Sequence, residues 1–253
     1  MIQAEAVTKS YRDLTALDGA SVTLPAGALT ALVGPTGAGK STLLSVIGRL
    51  VQADSGRVRV GGLDVVSADS RALAKQLAVL RQDNHFSARL TVVELARLGR
   101  FPHCGGRLGA QDHAAVARAL DLTGTAALAD RFLDELSGGQ RQRACVAMVF
   151  AQDTPYVLLD EPLNSLDLRH ATALMGLLRE ACDTLGKTVA VVIHDVNYAS
   201  AYADLVVAMR SGRVVAAGPP RDLIRADLLS DLYDTPVRVI DADGWPLAVY
   251  HRA

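Results

Sequence analysis

One nine-residue segment constrains this chain more than any other: Gly34-Pro35-Thr36-Gly37-Ala38-Gly39-Lys40-Ser41-Thr42. It follows the short apolar run 28–33 and precedes a stretch, 41–50, that reads as a helix. A glycine loop between a strand and a helix lets backbone N–H groups approach a polyphosphate, and the helix N-terminus adds partial positive charge. The spacing assigns Lys40 to the β- and γ-phosphates of a nucleotide and the Ser41 hydroxyl to Mg²⁺. Two more continuous apolar runs, 156–160 and 188–193, read as strands buried on both faces, as in a parallel sheet.

Around that unit the chain reads as an α/β domain with a mainly parallel sheet. The first thirty residues and 56–65 alternate more and predict an N-terminal antiparallel β annex. From about 86 to 152 the pattern is helical, broken once by a loop at 101–106, and reads as an inserted helical subdomain. The stretch 233–253 is expected to form a short β-like tail. One domain spanning 1–253 accommodates all of this. Half of the 253 residues are hydrophobic, which supplies a core and excludes disorder. The net charge of −1 gives no basic field for nucleic acid, and 4% aromatics gives no stacking platform. No apolar run approaches the length of a membrane span, and the N-terminus resembles no signal peptide, so a cytosolic location is expected. Cys104, Cys145 and Cys182 are too widely spaced to suggest a disulfide framework or a zinc knuckle. His85, His103, His113, His170 and His251 form no ligand cluster and read as surface or packing residues.

Other residues point to the same chemistry. Asp160 and Glu161 end the strand 156–160, where a carboxylate beside the phosphate loop suits Mg²⁺ and its neighbour can polarise an attacking water. A strand-end turn with two solvated acids is the plain alternative. His194 follows the strand 188–193 and can reach a γ-phosphate or its water, or simply pack. Gln82 and Tyr11 carry weaker signals, since a lone glutamine is usually superficial and a lone tyrosine usually packs. Leu136-Ser137-Gly138-Gly139-Gln140 opens the helix 141–150. Ser137 can cap it, and two glycines in a first turn weaken a helix unless its N–H groups serve an anion. Two phosphate-type sites in one chain either face one nucleotide or serve the nucleotides of two chains.

In order and identity these residues resemble the ATP-binding-cassette ATPases, over about residues 1–230. Tyr11 stands where the family has its adenine-stacking aromatic, Gly34 to Thr42 is Walker A, Gln82 the Q-loop, and Leu136 to Gln140 the signature. Walker B follows at 156–161, then the D-loop Ser165-Leu166-Asp167 and the switch His194. The resemblance implies a P-loop NTPase core and a head-to-tail homodimer around two ATP. In it Ser137, Gly138, Gly139 and Gln140 face the γ-phosphate held by the other copy's Lys40, and Asp167 lies across the interface. It further implies Glu161 as catalytic base, His194 as γ-phosphate switch, Gln82 linking Mg²⁺ to a membrane partner, and Ser41 and Asp160 on the metal. The loop reads Pro-Thr-Gly-Ala where many members have Pro-Asn-Gly-Ser; Thr36 is compatible with ATP binding.

A narrower likeness, in 99–102, 135–170 and 194–224, is to the ATPases of bacterial iron-chelate importers. It implies the motor of a ferric siderophore importer, peripheral on the inner face of the cell membrane. A separate transmembrane permease and, indirectly, a substrate-binding protein are its implied partners. Haem, cobalamin or another metal chelate is the alternative cargo. A cassette ATPase of DNA repair or translation is the alternative class. Against it, the Walker A to signature separation is 136 − 42 = 94 residues with no heptads, and the chain carries one cassette.

Overall fold

The computed structural model describes residues 1–82, 86, 88–164 and 166–250. Along the chain the elements run β1 (Ile2–Tyr11), β2 (Leu14–Leu24), β3 (Leu29–Val33), α1 (Lys40–Ile47), β4 (Ser55–Val60) and β5 (Leu63–Asp64). Next come α2 (Ser70–Gln76), β6 (Leu77–Leu80), α3 (Val92–Leu98), α4 (Phe101–Cys104), α5 (Ala110–Leu122), α6 (Gly138–Ala151) and β7 (Tyr156–Asp160). They end with α7 (Leu168–Leu185), β8 (Thr188–Val192), α8 (Val196–Tyr202), β9 (Leu205–Arg210), β10 (Arg213–Gly218), α9 (Pro220–Leu223), α10 (Ala226–Tyr233), β11 (Arg238–Ala242) and β12 (Trp245–Val249).

A six-stranded sheet of order β10-β9-β3-β8-β7-β6 forms the centre. It is parallel from β9 to β6, with β10 antiparallel at the edge. A second, antiparallel sheet of order β2-β1-β4-β5 is the expected annex. The side-chain alternation explains why the central strands looked uniformly apolar. Leu29, Ala31 and Val33 of β3, Val157 and Leu159 of β7, and Val189 and Val191 of β8 face one core with α3 and α5 to α8. Leu32, Leu158, Ala190 and Val192 face the other, shared with the annex and α1. Each central strand is therefore buried on both faces, and apolar burial at about 25 cal/mol per Å² holds the layers together.

The region between β6 and β7 is helical, as its periodicity predicts: among the described residues only the isolated bridge Thr91–Phe132 intervenes. Arg100, buried among these helices, pairs with Asp112 at 2.9 Å and donates to the Ala151 carbonyl at 2.8 Å. Gln152 then ties the end of α6 to the sheet edge by donating to the carbonyls of Ala74 and Leu77.

Three expectations change at their edges, and one strand was not anticipated. The expected loop 101–106 contains the one-turn helix α4, because Pro102 sits in the first turn, where its missing N–H costs nothing, and Gly105 closes the turn at φ 59°. The helix after the phosphate loop stops at Ile47 rather than reaching 50, with Gly48 as its cap. Strand β6, only Leu-Ala-Val-Leu, is too short to announce itself by pattern. Finally, Tyr233 closes α10 instead of opening the β tail, which begins at Arg238. His85, Ser165 and His251 lie outside the described residues.

Candidate functional site

The phosphate loop leaves β3 at Gly34, whose φ of 142° is open to glycine and strained for other residues. A Cβ at Gly34 would also overlap the Met209 carbonyl of β9. The Ala38 N–H donates to the Pro35 carbonyl at 3.1 Å, closing the turn, while Thr36 and Gly37 stand exposed at its tip. Gly212 N–H donates to the Ala38 carbonyl at 3.0 Å, and Gly39 passes so close to Ala16 of β2 that no side chain fits. Thus β2, β9 and the β9–β10 turn clamp the loop from three sides. Lys40, 4% exposed, turns back and donates through Nζ to the carbonyls of Gly34 at 2.7 Å and Pro35 at 2.9 Å. Burial lowers its pKa, opposed by the nearby Glu161 and Asp160 carboxylates.

Ser41 and Thr42 follow Lys40 in the first turn of α1, and the Ser41 hydroxyl donates to Asp160 Oδ1 at 2.7 Å. Asp160, at the end of β7, is 8% exposed. Burial raises its pKa above the ordinary carboxylate value, Ser41 and Lys40 acting the other way and Glu161 adding to the rise. A buried carboxylate with too little compensating charge, bonded to a hydroxyl, is a hard-oxygen donor set that fits Mg²⁺. Glu161 adopts φ 49°, a left-handed conformation unusual outside glycine, which turns its side chain out of the strand. Its carboxylate collects three partners. Gln82 Nε2 and Asn164 Nδ2 both donate to Oε2, at 2.7 and 2.6 Å, and His194 Nε2 meets Oε1 at 2.9 Å. Gln82, His194 and Glu161, 79 and 33 residues apart along the chain (161 − 82 and 194 − 161), are therefore one cluster beside the Ser41–Asp160 pair.

The signature segment is built as its sequence suggests. Ser137 caps α6: its Oγ accepts from Gln140 N–H at 3.3 Å while Gln140 Oε1 accepts from Ser137 N–H at 3.0 Å, a capping box. Ser137 and Gly138 are exposed, and Gly139 lies near Leu166 and His170 at the start of α7. Asp167 caps α7, its carboxylate accepting from His170 N–H at 2.8 Å and lying 2.7 Å from His170 Nδ1. Among the described residues no hydrogen bond or ion pair joins the Ser137–Gln140 segment to its own chain's phosphate loop. Tyr11 ends β1 with 44% of its surface exposed and Lys9 Nζ 5.5 Å from its ring centre. Two residues escaped the sequence reading. Asn164 was legible as the third residue after Glu161 in a turn. Tyr233 carried no local signal, because its partner lies 199 residues away.

A glycine-clamped phosphate loop, an oriented carboxylate beside it and a second capped glycine helix start together define an ATPase cassette. The family model described as ABC transporter matches residues 17–164, and the chain belongs to that family. It is an ATPase of the kind that powers transport. It is 43% identical over 250 residues to the petrobactin import ATP-binding protein YclP of Bacillus subtilis, covering 99% of both chains. To the hemin import ATP-binding protein HmuV of Streptomyces coelicolor it is 46% identical over 239 residues, covering 94% of this chain and 85% of the relative. Among solved structures, the dimeric bacterial cassette MJ0796 superposes with a TM-score of 0.79 at 28% identity, over 87% of this chain and 99% of that one. The same cassette is known as a post-hydrolysis dimer bound to ADP and Pi.

Proposed function

We propose that this chain is the motor subunit of an iron-chelate importer, with a ferric siderophore as cargo. The observation that carries the catalytic half is the Glu161 carboxylate, oriented by Gln82, Asn164 and His194 beside the Ser41–Asp160 pair. The petrobactin and hemin relatives, aligned over nearly the whole chain, support the cargo class.

In this reading residues 1–253 form one cassette, whose helical insert at about 86–152 faces a separate transmembrane permease at the inner membrane face. A substrate-binding protein serves the permease, and nucleic acid has no part. Two copies close head to tail around two ATP. Tyr11 stacks on adenine, Gly34 to Thr42 wrap the phosphates, and Lys40 exchanges its two carbonyl partners for β- and γ-phosphate oxygens. Ser137, Gly138, Gly139 and Gln140 of one copy cap the terminal phosphate held by the other, with Asp167 at the interface. Ser41, Asp160 and Gln82 hold Mg²⁺, which when bound neutralises phosphate charge. Glu161 accepts the proton of the attacking water, and His194 contacts the γ-phosphate. Oε2 already accepts from both Gln82 and Asn164, while Oε1, met by His194 alone, keeps acceptor capacity for a water. Gln82 is the partner that permease movement can withdraw, which links hydrolysis to the transport cycle.

The test is complementation of a strain lacking the gene. The parental gene restores uptake of radiolabelled ferric siderophore; Glu161→Gln does not, and the purified variant accumulates as an ATP-bound dimer on size exclusion. Hydrolysis by Glu161→Gln at the parental rate removes the base assignment. Restored uptake of haem with ferric siderophore uptake unchanged favours the second cargo, to which the hemin relative's 46% identity points. Unchanged uptake of both rejects the iron-chelate reading.

A further inference from the structure

The last turn of α10 reaches back to the first residue of the phosphate loop. The Tyr233 hydroxyl accepts a hydrogen bond from the Gly34 N–H at 3.1 Å. Gly34 is then held on both sides: its N–H by Tyr233, and its carbonyl by Lys40 at 2.7 Å. Its backbone cannot move toward β9, where Met209 is already in contact range of its Cα hydrogens. Of the two tethers, only one survives nucleotide binding, because Lys40 must leave the Gly34 carbonyl to reach phosphate. The other comes from outside the loop and does not compete with the ligand.

Tyr233 is itself placed by more than packing. Its ring lines a cavity of about 390 Å³ that it shares with His194, Leu229, Val237 and Tyr250. The ring also packs against the main core, and the hydrogen bond adds a directional contact to that packing. The hydroxyl stays protonated under working conditions, since burial pushes it up to about 12. The segment beyond it is anchored to the helix that follows the switch histidine. Asn197 of α8 pairs with both backbone groups of Ala248 in β12, at 2.8 and 3.2 Å, and Ser200 donates to the Pro246 carbonyl. Thus α10 and the terminal hairpin connect the start of the phosphate loop with α8, the helix that follows His194.

We propose that Tyr233 is a positioning residue for nucleotide binding, fixing Gly34 so that the phosphate loop keeps its phosphate-cradling shape when Lys40 turns to the ligand. It rests on the ATPase reading of the site and adds a residue outside every motif. One neutral hydrogen bond is worth about 0.5–1.5 kcal/mol, or roughly a 2- to 12-fold change in an equilibrium constant.

The experiment compares the full-length parent with Tyr233→Phe, which keeps the ring and removes the hydroxyl. Binding of a fluorescent ADP and of Mg-ATP is titrated directly, alongside KM, kcat and thermal midpoint. The expected result is weaker binding of both nucleotides by about 3- to 10-fold and a KM raised in proportion. The kcat at saturation stays within about twofold, and the midpoint of the nucleotide-free chain falls modestly, because the same bond is present there. A purely structural tyrosine predicts that lowered midpoint with parental affinity, so the affinity decides. Affinity within error of the parent in a folded Tyr233→Phe overturns the proposal while leaving the ATPase reading intact. A parent that binds neither nucleotide overturns both. Tyr233→Ala, which also empties ring volume, must weaken binding at least as much as Tyr233→Phe; tighter binding than the Phe variant also rejects the tether.

Discussion

At the scale of single residues, the site sets charge against burial. Asp160 is nearly enclosed, and burial raises its pKa despite the Ser41 hydrogen bond. A carboxyl that binds its proton more tightly in the folded than in the unfolded chain weakens the fold as pH rises. The loss begins near the ordinary carboxylate value of about 4 and is complete above the raised folded value. At neutral pH the ionised Asp160 therefore costs stability that a neutral amide of the same shape does not. Asp160→Asn is expected to raise the thermal midpoint of the nucleotide-free chain at pH 7.5, with the gain shrinking toward pH 4. Its Mg-dependent ATPase rate falls by about 100-fold or more. Scanning fluorimetry across pH checks the first statement and a phosphate-release assay the second; a lower midpoint at pH 7.5 contradicts the argument. The sequence located Asp160 and Glu161 as a pair, since both end one apolar strand. It did not show that Glu161 would turn at φ 49° into a cluster with Gln82, Asn164 and His194, because that meeting depends on how three strand ends converge.

Among the elements, α6 shows how a helix start can be capped and still leave its first turn open. Its capping box satisfies two N–H groups within the segment, while exposed Gly138 leaves the first turn uncovered. Ser137→Ala removes the cap and is expected to cost about 1 kcal/mol, read from the midpoint of a urea titration. In dilute solution the Mg-ATP affinity of that variant stays parental, because the phosphate loop of the same chain does the binding. Hydrolysis falls when the protein is concentrated enough for two copies to meet. Lost affinity in the dilute chain would place Ser137 on its own nucleotide and contradict the head-to-tail arrangement. The helical insert was readable because α5 and α6 carry apolar residues at helical spacing. Strand β6 and helix α4, four residues each, were not, since elements that short take their structure from neighbours: β6 from pairing with β7, α4 from Arg71 donating to the Pro102 and His103 carbonyls.

For the molecule as a whole, the two cores on either side of the central sheet decide which groups meet solvent. Cys145 lies in α6 and Cys182 in α7, both within the core that covers one face of the sheet. Burial pushes each thiol up to about 11, so at pH 8 neither offers an accessible thiolate. Cys104, at the end of α4, is only half-buried. A colorimetric thiol titration at pH 8 is expected to label Cys104 alone in the native chain and all three cysteines after denaturation. Rapid labelling of Cys145 in the native chain would show that α6 separates from the sheet. The same layered packing explains why the terminal segment could not be assigned a role from its residues: Tyr233 reads as a tail aromatic until α10 brings it against Gly34.

What the sequence determined by itself is local chemistry. A glycine loop with Lys40 and Ser41 after an apolar strand, and Ser137 before two glycines, each state a backbone geometry and a ligand class within about ten residues, because turns and caps are set by neighbours in the chain. Only the tertiary structure decided which of those pieces share a site. Glu161 meets Gln82 and His194, and Gly34 meets Tyr233, through contacts that span dozens to nearly two hundred residues. Such contacts are fixed by the packing of two apolar faces of one sheet, a property of the whole chain that no short window of sequence contains.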